Sequence, residues 1–184
     1  MITTADQNIL LKLAHDSIAY CLTNGREMLV DASQFESALQ EKRSTFVTLG
    51  LNGELRGCIG TLKACRPLVQ DIAHNAYAAA FCDPRFAPLT TAELRGLKIQ
   101  ISILSHVEEL KFNSEEELLT QLRPHVDGLI LSEGRARGTF LPCVWESLPE
   151  PCEFLAHLKL KAGLPPRYWS DAIQVKRYTT MVFP

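Results

Sequence analysis

The sequence predicts an α+β fold: a single compact domain spanning residues 1–184, with a largely antiparallel, curved sheet and flanking helices. Three observations carry this expectation. Asn52-Gly53, set between two β-like runs, is the strongest short-range signal for a two-residue hairpin. A second pair of runs, Gly128-Leu129-Ile130-Leu131 and Gly138-Thr139-Phe140-Leu141, brackets another turn. Helical periodicity is interspersed with these hairpins, the arrangement expected when helices cover an antiparallel sheet.

Along the chain, Leu10, Leu13, Ala14, Ser17, Ile18, Cys21 and Leu22 form one apolar stripe, so the first helix is expected from about Thr4 to Thr23. Thr4 and Gln7 are placed as a capping box, and Asn24-Gly25 as the stop. Ser33-Gln34-Phe35-Glu36 opens a short helix. Thr45 to Leu49 and the segment after Gly53 form the first hairpin, in which Leu51 faces Glu54, Leu49 faces Arg56 and Val47 faces Cys58. Pro67 then opens a helix to about Cys82 whose buried side is Leu68, Val69, Ile72, Ala73, Ala76, Ala79 and Ala80. Ile99, Ile101 and Ile103 alternate with polar residues as in a half-buried strand. Ser114 caps a short acidic helix. After the second hairpin, whose turn spans Glu133 to Arg137, a last helix ends at Gly163. Hairpin-then-helix thus recurs at residues 44–82 and 128–163, with shared order and little residue identity, giving the expectation of two repeated units.

A chain of 184 residues that is 46% apolar can bury a core without disulfides or a structural metal. No apolar run approaches the ~20 residues of a membrane span, and the first residues lack the basic and apolar regions of a signal peptide. These features give the expectation of a cytoplasmic protein whose six cysteines are reduced. The net charge is −2, and residues 135–184 carry seven Lys/Arg against four Asp/Glu, an asymmetry too mild to argue for nucleic acid. No cysteine or histidine spacing matches a metal site, so neither metal nor cofactor is expected. A serine-hydrolase elbow, a phosphate-binding loop and a dinucleotide fingerprint are all absent.

Chemistry concentrates at Arg56-Gly57-Cys58. In the expected register Arg56, Cys58 and Gly60 share a face beside Leu49, Val47 and Thr45, about 7 Å apart along the strand. A guanidinium there can favour a thiolate at Cys58, and Gly57 and Gly60 leave backbone open to a ligand or a second chain segment. The alternative for Cys58 is a small core residue packed on Val47. Arg56, on an otherwise apolar face, requires a carboxylate or an anionic ligand, and the sequence reading places it in an open cleft meeting an anion. Asp83 and Arg85, flanking Pro84, are either an ion pair or cleft residues. Glu93 reads as the end of a Thr90 capping box. His74 pairs with Asp71 on a helix surface, Lys159 and Lys161 complement a helix dipole, and Arg135 and Arg137 occupy a solvated turn.

Leu55-Arg56-Gly57-Cys58-Ile59-Gly60-Thr61-Leu62 resembles the hallmark segment of the AMMECR domain family, known in bacteria as protein A of the AmmeMemoRadiSam group. Ordered blocks extend the resemblance: Asp83-Pro84-Arg85-Phe86 with Pro88 and Glu93-Leu94, Ile101 to Ser105, Leu141-Pro142 with Val144-Trp145, and Phe154-Leu155 with Leu158 and Lys161 to Leu164. Two departures are Cys143, where relatives usually carry glutamine, and an end at Phe183-Pro184 without an acidic finish. The resemblance implies an α+β domain with a cleft near the Arg-Gly-Cys-Ile-Gly motif, and partners of the Memo type and the radical-SAM type. The ligand-binding candidates are Arg56, Gly57, Cys58, Gly60, Asp83 and Arg85, which would meet a small anion or a partner's side chain, with Asp83 either a cleft residue or the partner of Arg56. The expected role is that of a binding or accessory protein of a modification pathway. Its rivals are an enzyme with Cys58 as the nucleophile activated by Arg56 and a nucleic-acid binder using the basic C-terminal third.

Overall fold

A computed structural model describes residues 2–184. The first half contains α1 (Thr4–Asn24), α2 (Ser37–Gln40), β1 (Thr45–Leu51), β2 (Glu54–Gly60), α3 (Leu68–Phe81), α4 (Thr91–Leu94) and β3 (Lys98–Leu104). Then come β4 (Glu108–Glu109), α5 (Glu115–Gln121), β5 (Gly128–Glu133), β6 (Ala136–Phe140), α6 (Pro151–Lys161), β7 (Gln174–Tyr178) and β8 (Thr180–Phe183). The fold is α+β, but the strands form two four-stranded sheets where the sequence suggested one: β2-β1-β3-β8 and β4-β7-β5-β6. They belong to two compact units, one running through Leu104 and recovering Met181–Pro184, the other Ser105–Thr180.

In the first unit β1 pairs antiparallel with both β2 and β3. The registers put Val47 and Leu49 beside Ile101 and Ile99 on one face, and α1 and α3 bury it. Val47, Leu49 and Ile101 are fully buried. The alanines of α3 let its backbone lie close to the sheet, and Ser17 of α1 donates to the Ala73 carbonyl at 2.8 Å. The capping box of α1 is one residue earlier than the sequence suggested, Thr3 with Asp6, because Asp6 accepts from both the Thr3 amide and hydroxyl at 2.7 Å. Asn52 (φ +54°) and Gly53 (φ +88°) make the expected tight turn.

Asp71 is not a surface partner for His74. Its carboxylate is buried at 1% exposure, where it accepts from the Thr45 amide (3.1 Å), the Thr45 hydroxyl (2.7 Å), the Thr61 hydroxyl (2.8 Å) and Asn75 (3.1 Å). One carboxylate at the start of α3 therefore ties together the start of β1 and the residue just past β2. His74 turns outward to Glu27, 2.7 Å away.

The second unit repeats the order hairpin, then helix. Its β5–β6 turn is the two residues Gly134-Arg135, shorter than expected, because Glu133 and Ala136 already pair. Trp145 and Phe154 stack at 3.7 Å in the core, and the indole N–H donates to the Asp127 carbonyl. Each second hairpin strand carries a glycine against its helix. A methyl group on Gly57 would lie 2.1 Å from the Ala79 carbonyl oxygen of α3, and one on Gly138 would lie 2.9 Å from the Ala162 nitrogen just past α6. Lys159 departs from the helix-end role expected of it. It is fully buried, with its Nζ 2.6 Å from Glu115 and 5.5 Å from the Trp169 ring centroid. Among the described residues no helix is long and apolar enough to cross a membrane, and no three His, Cys, Asp or Glu side chains cluster as a metal site would require.

Candidate functional site

The site is built on β2, which lies at one edge of the first sheet. From the turn, Leu51 faces Glu54 and Gly50 faces Leu55, but Leu49 then faces Gly57, so Arg56 is an inserted, bulged residue. The expected register fails from that point. Cys58 pairs with Thr48 rather than Val47 and lies on the face opposite the α3-covered core, with Gln100 on the far side of Thr48. The physical cause is Gly57: its bare backbone is what α3 presses against, so the strand must present Gly57, not Arg56, to the helix. Gly60 likewise serves packing, since its missing side chain leaves room for the Phe46 ring. For Gly57 the closely approaching segment is α3, and for Gly60 it is the Phe46 ring.

As an edge strand, β2 has outward-facing amide and carbonyl groups that need partners. At Cys58 the loop after α3 supplies both. The Cys58 amide donates to Asp83 Oδ2 at 2.9 Å, and Arg85 Nη2 reaches the Cys58 carbonyl at 3.3 Å. Asp83 and Arg85 also grip each other, Nε to Oδ1 at 2.9 Å and Nη2 to Oδ2 at 2.6 Å. Asp83 is only 4% exposed. The Arg85 guanidinium holds its carboxyl well below the usual range against the opposing effect of burial, with help from the Cys58 and Arg85 amides.

Arg56 has a carboxylate partner, and it is Glu93 rather than Asp83. Nε donates to Glu93 Oε1 at 2.7 Å, Nη2 to Oε2 at 3.3 Å, and Nη2 also to the Ala87 carbonyl at 2.9 Å. The arginine side chain is 14% exposed, so it is not the open-cleft cation expected from sequence. Glu93 also closes the anticipated capping box, accepting from the Thr90 amide and hydroxyl at 2.8 Å each. Arg56 first and Thr90 second lower its pKa to about 2. Phe86 lies between the two cations, 5.9 Å from the Arg56 guanidinium and 5.4 Å from that of Arg85.

The structure thus brings Cys58, Asp83 and Arg85 into direct contact and links Arg56 to them through Phe86 and Ala87. Local charge cancels in two pairs. What faces outward is the half-buried Cys58 thiol, 3.2 Å from the Thr48 hydroxyl, and the Arg85 guanidinium, whose side chain is 54% exposed. A hydroxyl can share a hydrogen bond with the thiol but cannot act as its base at neutral pH. Sequence reasoning missed Thr48, Glu93 as the partner of Arg56, and the Asp71 anchor of Thr61. Only a correct bulge assignment would have found Thr48.

A family model described as AMMECR1 matches residues 11–183. A protein of Methanocaldococcus jannaschii is 36% identical over 167 residues, covering 86% of this chain and 80% of that protein. One of Methanopyrus kandleri is 34% identical over 191 residues, with 99% and 89% covered. The crystal structure of protein PH0010 from Pyrococcus horikoshii superposes with a TM-score of 0.86 at 32% identity, covering 95% of this chain and 88% of that one.

Proposed function

The chain belongs to the AMMECR1 family, and from that membership and the geometry around Cys58 we propose that it is a binding or accessory protein of a modification pathway. In this reading it works beside Memo-type and radical-SAM proteins. It presents Arg85, with Cys58 and Thr48, to a small anion or to an acidic side chain of a partner. Arg56 and Asp83 act one step back, holding the loop and strand in place.

The observation that carries the reading is the half-spent guanidinium of Arg85. Its Nε and Nη2 are committed to Asp83 and the Cys58 carbonyl, while Nη1 makes no hydrogen bond among the described residues and the side chain stands half exposed. An arginine fixed on one edge and open on the other is oriented in advance for a carboxylate or phosphate, so less entropy is lost on binding. Binding is favoured over catalysis because the thiol's side-chain neighbour is a hydroxyl and Asp83 is engaged on the backbone of Cys58.

The test is thermal denaturation at fixed ionic strength with phosphate, sulfate or small carboxylates, since a ligand that binds only the folded state raises its apparent stability. Wild-type protein should be protected, Arg85→Ala should lose the protection, and Arg85→Lys should retain part of it. Wild-type protein indifferent to every anion, or protection unchanged in Arg85→Ala, would sink the reading. Mass spectrometry of gently purified protein would identify any ligand retained.

A further inference from the structure

The second unit contains an open groove of about 530 Å³ that does not involve the Arg56 to Arg85 site. Its volume is within the range of small-molecule sites. The floor is apolar, from Leu110 (7% exposed) and Ile173 (4% exposed). One wall is an aromatic corner in which Phe112 and Trp169 meet with centroids 5.7 Å apart and planes at 54°. The rim carries Glu109 and Asp171, both exposed.

The two rim carboxylates make no hydrogen bond or ion pair among the described residues. Two other charges line the groove. Glu117 is occupied by the Asn113 amide (2.8 Å) and side chain (3.0 Å), and Lys111 supplies one positive charge. The lining is therefore net negative by two, over aromatic and aliphatic surface. An anion would meet repulsion here, and a neutral apolar ligand would leave the carboxylates unused. A cation on an apolar stem meets every feature: the ammonium finds carboxylates and aromatic rings, and the stem finds Leu110 and Ile173. The fold already uses the same indole in this way, since the buried Lys159 ammonium lies 5.5 Å from the Trp169 centroid.

We propose that this groove binds an alkylammonium group, with Glu109 and Asp171 pairing the charge, Phe112 and Trp169 beside the ammonium, and Leu110 and Ile173 under the stem. Two sources share that chemistry, a lysine side chain displayed on a peptide and a free polyamine.

The experiment follows the Trp169 indole N–H by NMR in the full chain. Trp145, whose indole is bonded to the Asp127 carbonyl inside the core, serves as the internal control. The probes are Nα-acetyl-lysine methylamide, its Nε-acetylated neutral counterpart, cadaverine and spermidine. Millimolar binding of the charged probes is expected, shifting Trp169 and not Trp145, with the neutral counterpart at least tenfold weaker. Combined Glu109→Gln and Asp171→Asn, both on exposed side chains, should weaken binding five- to tenfold, and raised salt should do the same. Tighter binding of the lysine amide points to a peptide, and tighter binding of spermidine to a polyamine. Equal binding of the neutral probe, or a double variant within twofold of wild type, overturns the proposal.

Discussion

Replacing Arg56 by alanine tests whether this arginine is part of the framework. The substitution removes two hydrogen bonds to Glu93 and one to the Ala87 carbonyl. Breaking a fully buried ion pair costs about 3–5 kcal/mol. Here Glu93 is 24% exposed and keeps both donations from Thr90, so the expected loss is reduced to about 2–3 kcal/mol. Lysine, which keeps the charge and loses the fork, should recover about half of it. A cycle with Glu93→Gln should give a coupling of about 1–2 kcal/mol. The pH dependence has a definite sign. Because the folded pKa of Glu93 is depressed to about 2 from an ordinary 4.5, the stabilisation is present above pH 4.5 and disappears as pH falls toward 2. The gap between wild type and Arg56→Ala should narrow across that window. The assay is urea unfolding followed by far-UV circular dichroism, because both tryptophans, Trp145 and Trp169, are in the Ser105–Thr180 unit and report on that unit. A loss below about 1 kcal/mol at unchanged m, no coupling to Glu93, or a gap that stays flat from pH 7 to 2.5 would refute the reasoning.

Three further outcomes are expected. Gly57→Ala places a methyl group 2.1 Å from the Ala79 carbonyl oxygen, a backbone atom that cannot step aside without moving α3, so a loss of about 3 kcal/mol or more, or failure to fold, should appear in denaturant titrations; a change under about 1 kcal/mol would contradict the docking described. Iodoacetamide at pH 6.5, read by peptide mass spectrometry, should modify the exposed Cys65, Cys82 and Cys152 before the half-buried Cys58, and preferential alkylation of Cys58 would move the protein to the enzyme reading. Asp83→Asn should destabilise by about 2 kcal/mol or more at pH 7, where it breaks the pair with Arg85, and by progressively less in acid, since the depressed pKa of Asp83 means its contribution is lost as pH falls below the ordinary carboxylate range. Equal destabilisation at pH 7 and pH 2.5, measured by the same titrations, would show that the charge is not what matters.

What the sequence disclosed and what it withheld divide at the first hairpin. Asn52-Gly53 announced the turn because a left-handed pair of residues is a local requirement that few residue types meet. The register from Leu51 to Leu55 follows from that turn alone. The bulge at Arg56 does not, because it is imposed by α3, whose Ala79, twenty-two residues beyond Gly57, needs a bare glycine beneath it. Since strand faces alternate, one inserted residue transfers everything beyond it to the other face. Cys58 thus passed from the apolar company of Val47 to the polar company of Thr48. The repeat of hairpin and helix was legible in element order, whereas the division into two sheets was not, because strand order across a sheet is decided by contacts remote in sequence.

That the sequence does not disclose Glu93 as the partner of Arg56 has a different origin. Glu93 is the acceptor of a capping box, a contact between residues three apart that the sequence makes visible. That local role accounts for the residue by itself, which leaves Asp83 as a candidate carboxylate for Arg56. A carboxylate has two oxygens and about four acceptor positions, however, and a cap occupies only part of them. In the structure Oε2 serves Thr90 and takes the longer contact from Arg56 Nη2, while Oε1 turns wholly to Arg56, thirty-seven residues away. The cap holds the carboxylate still, and a carboxylate already held loses little entropy on accepting an arginine. The local motif is therefore what makes the remote pair favourable.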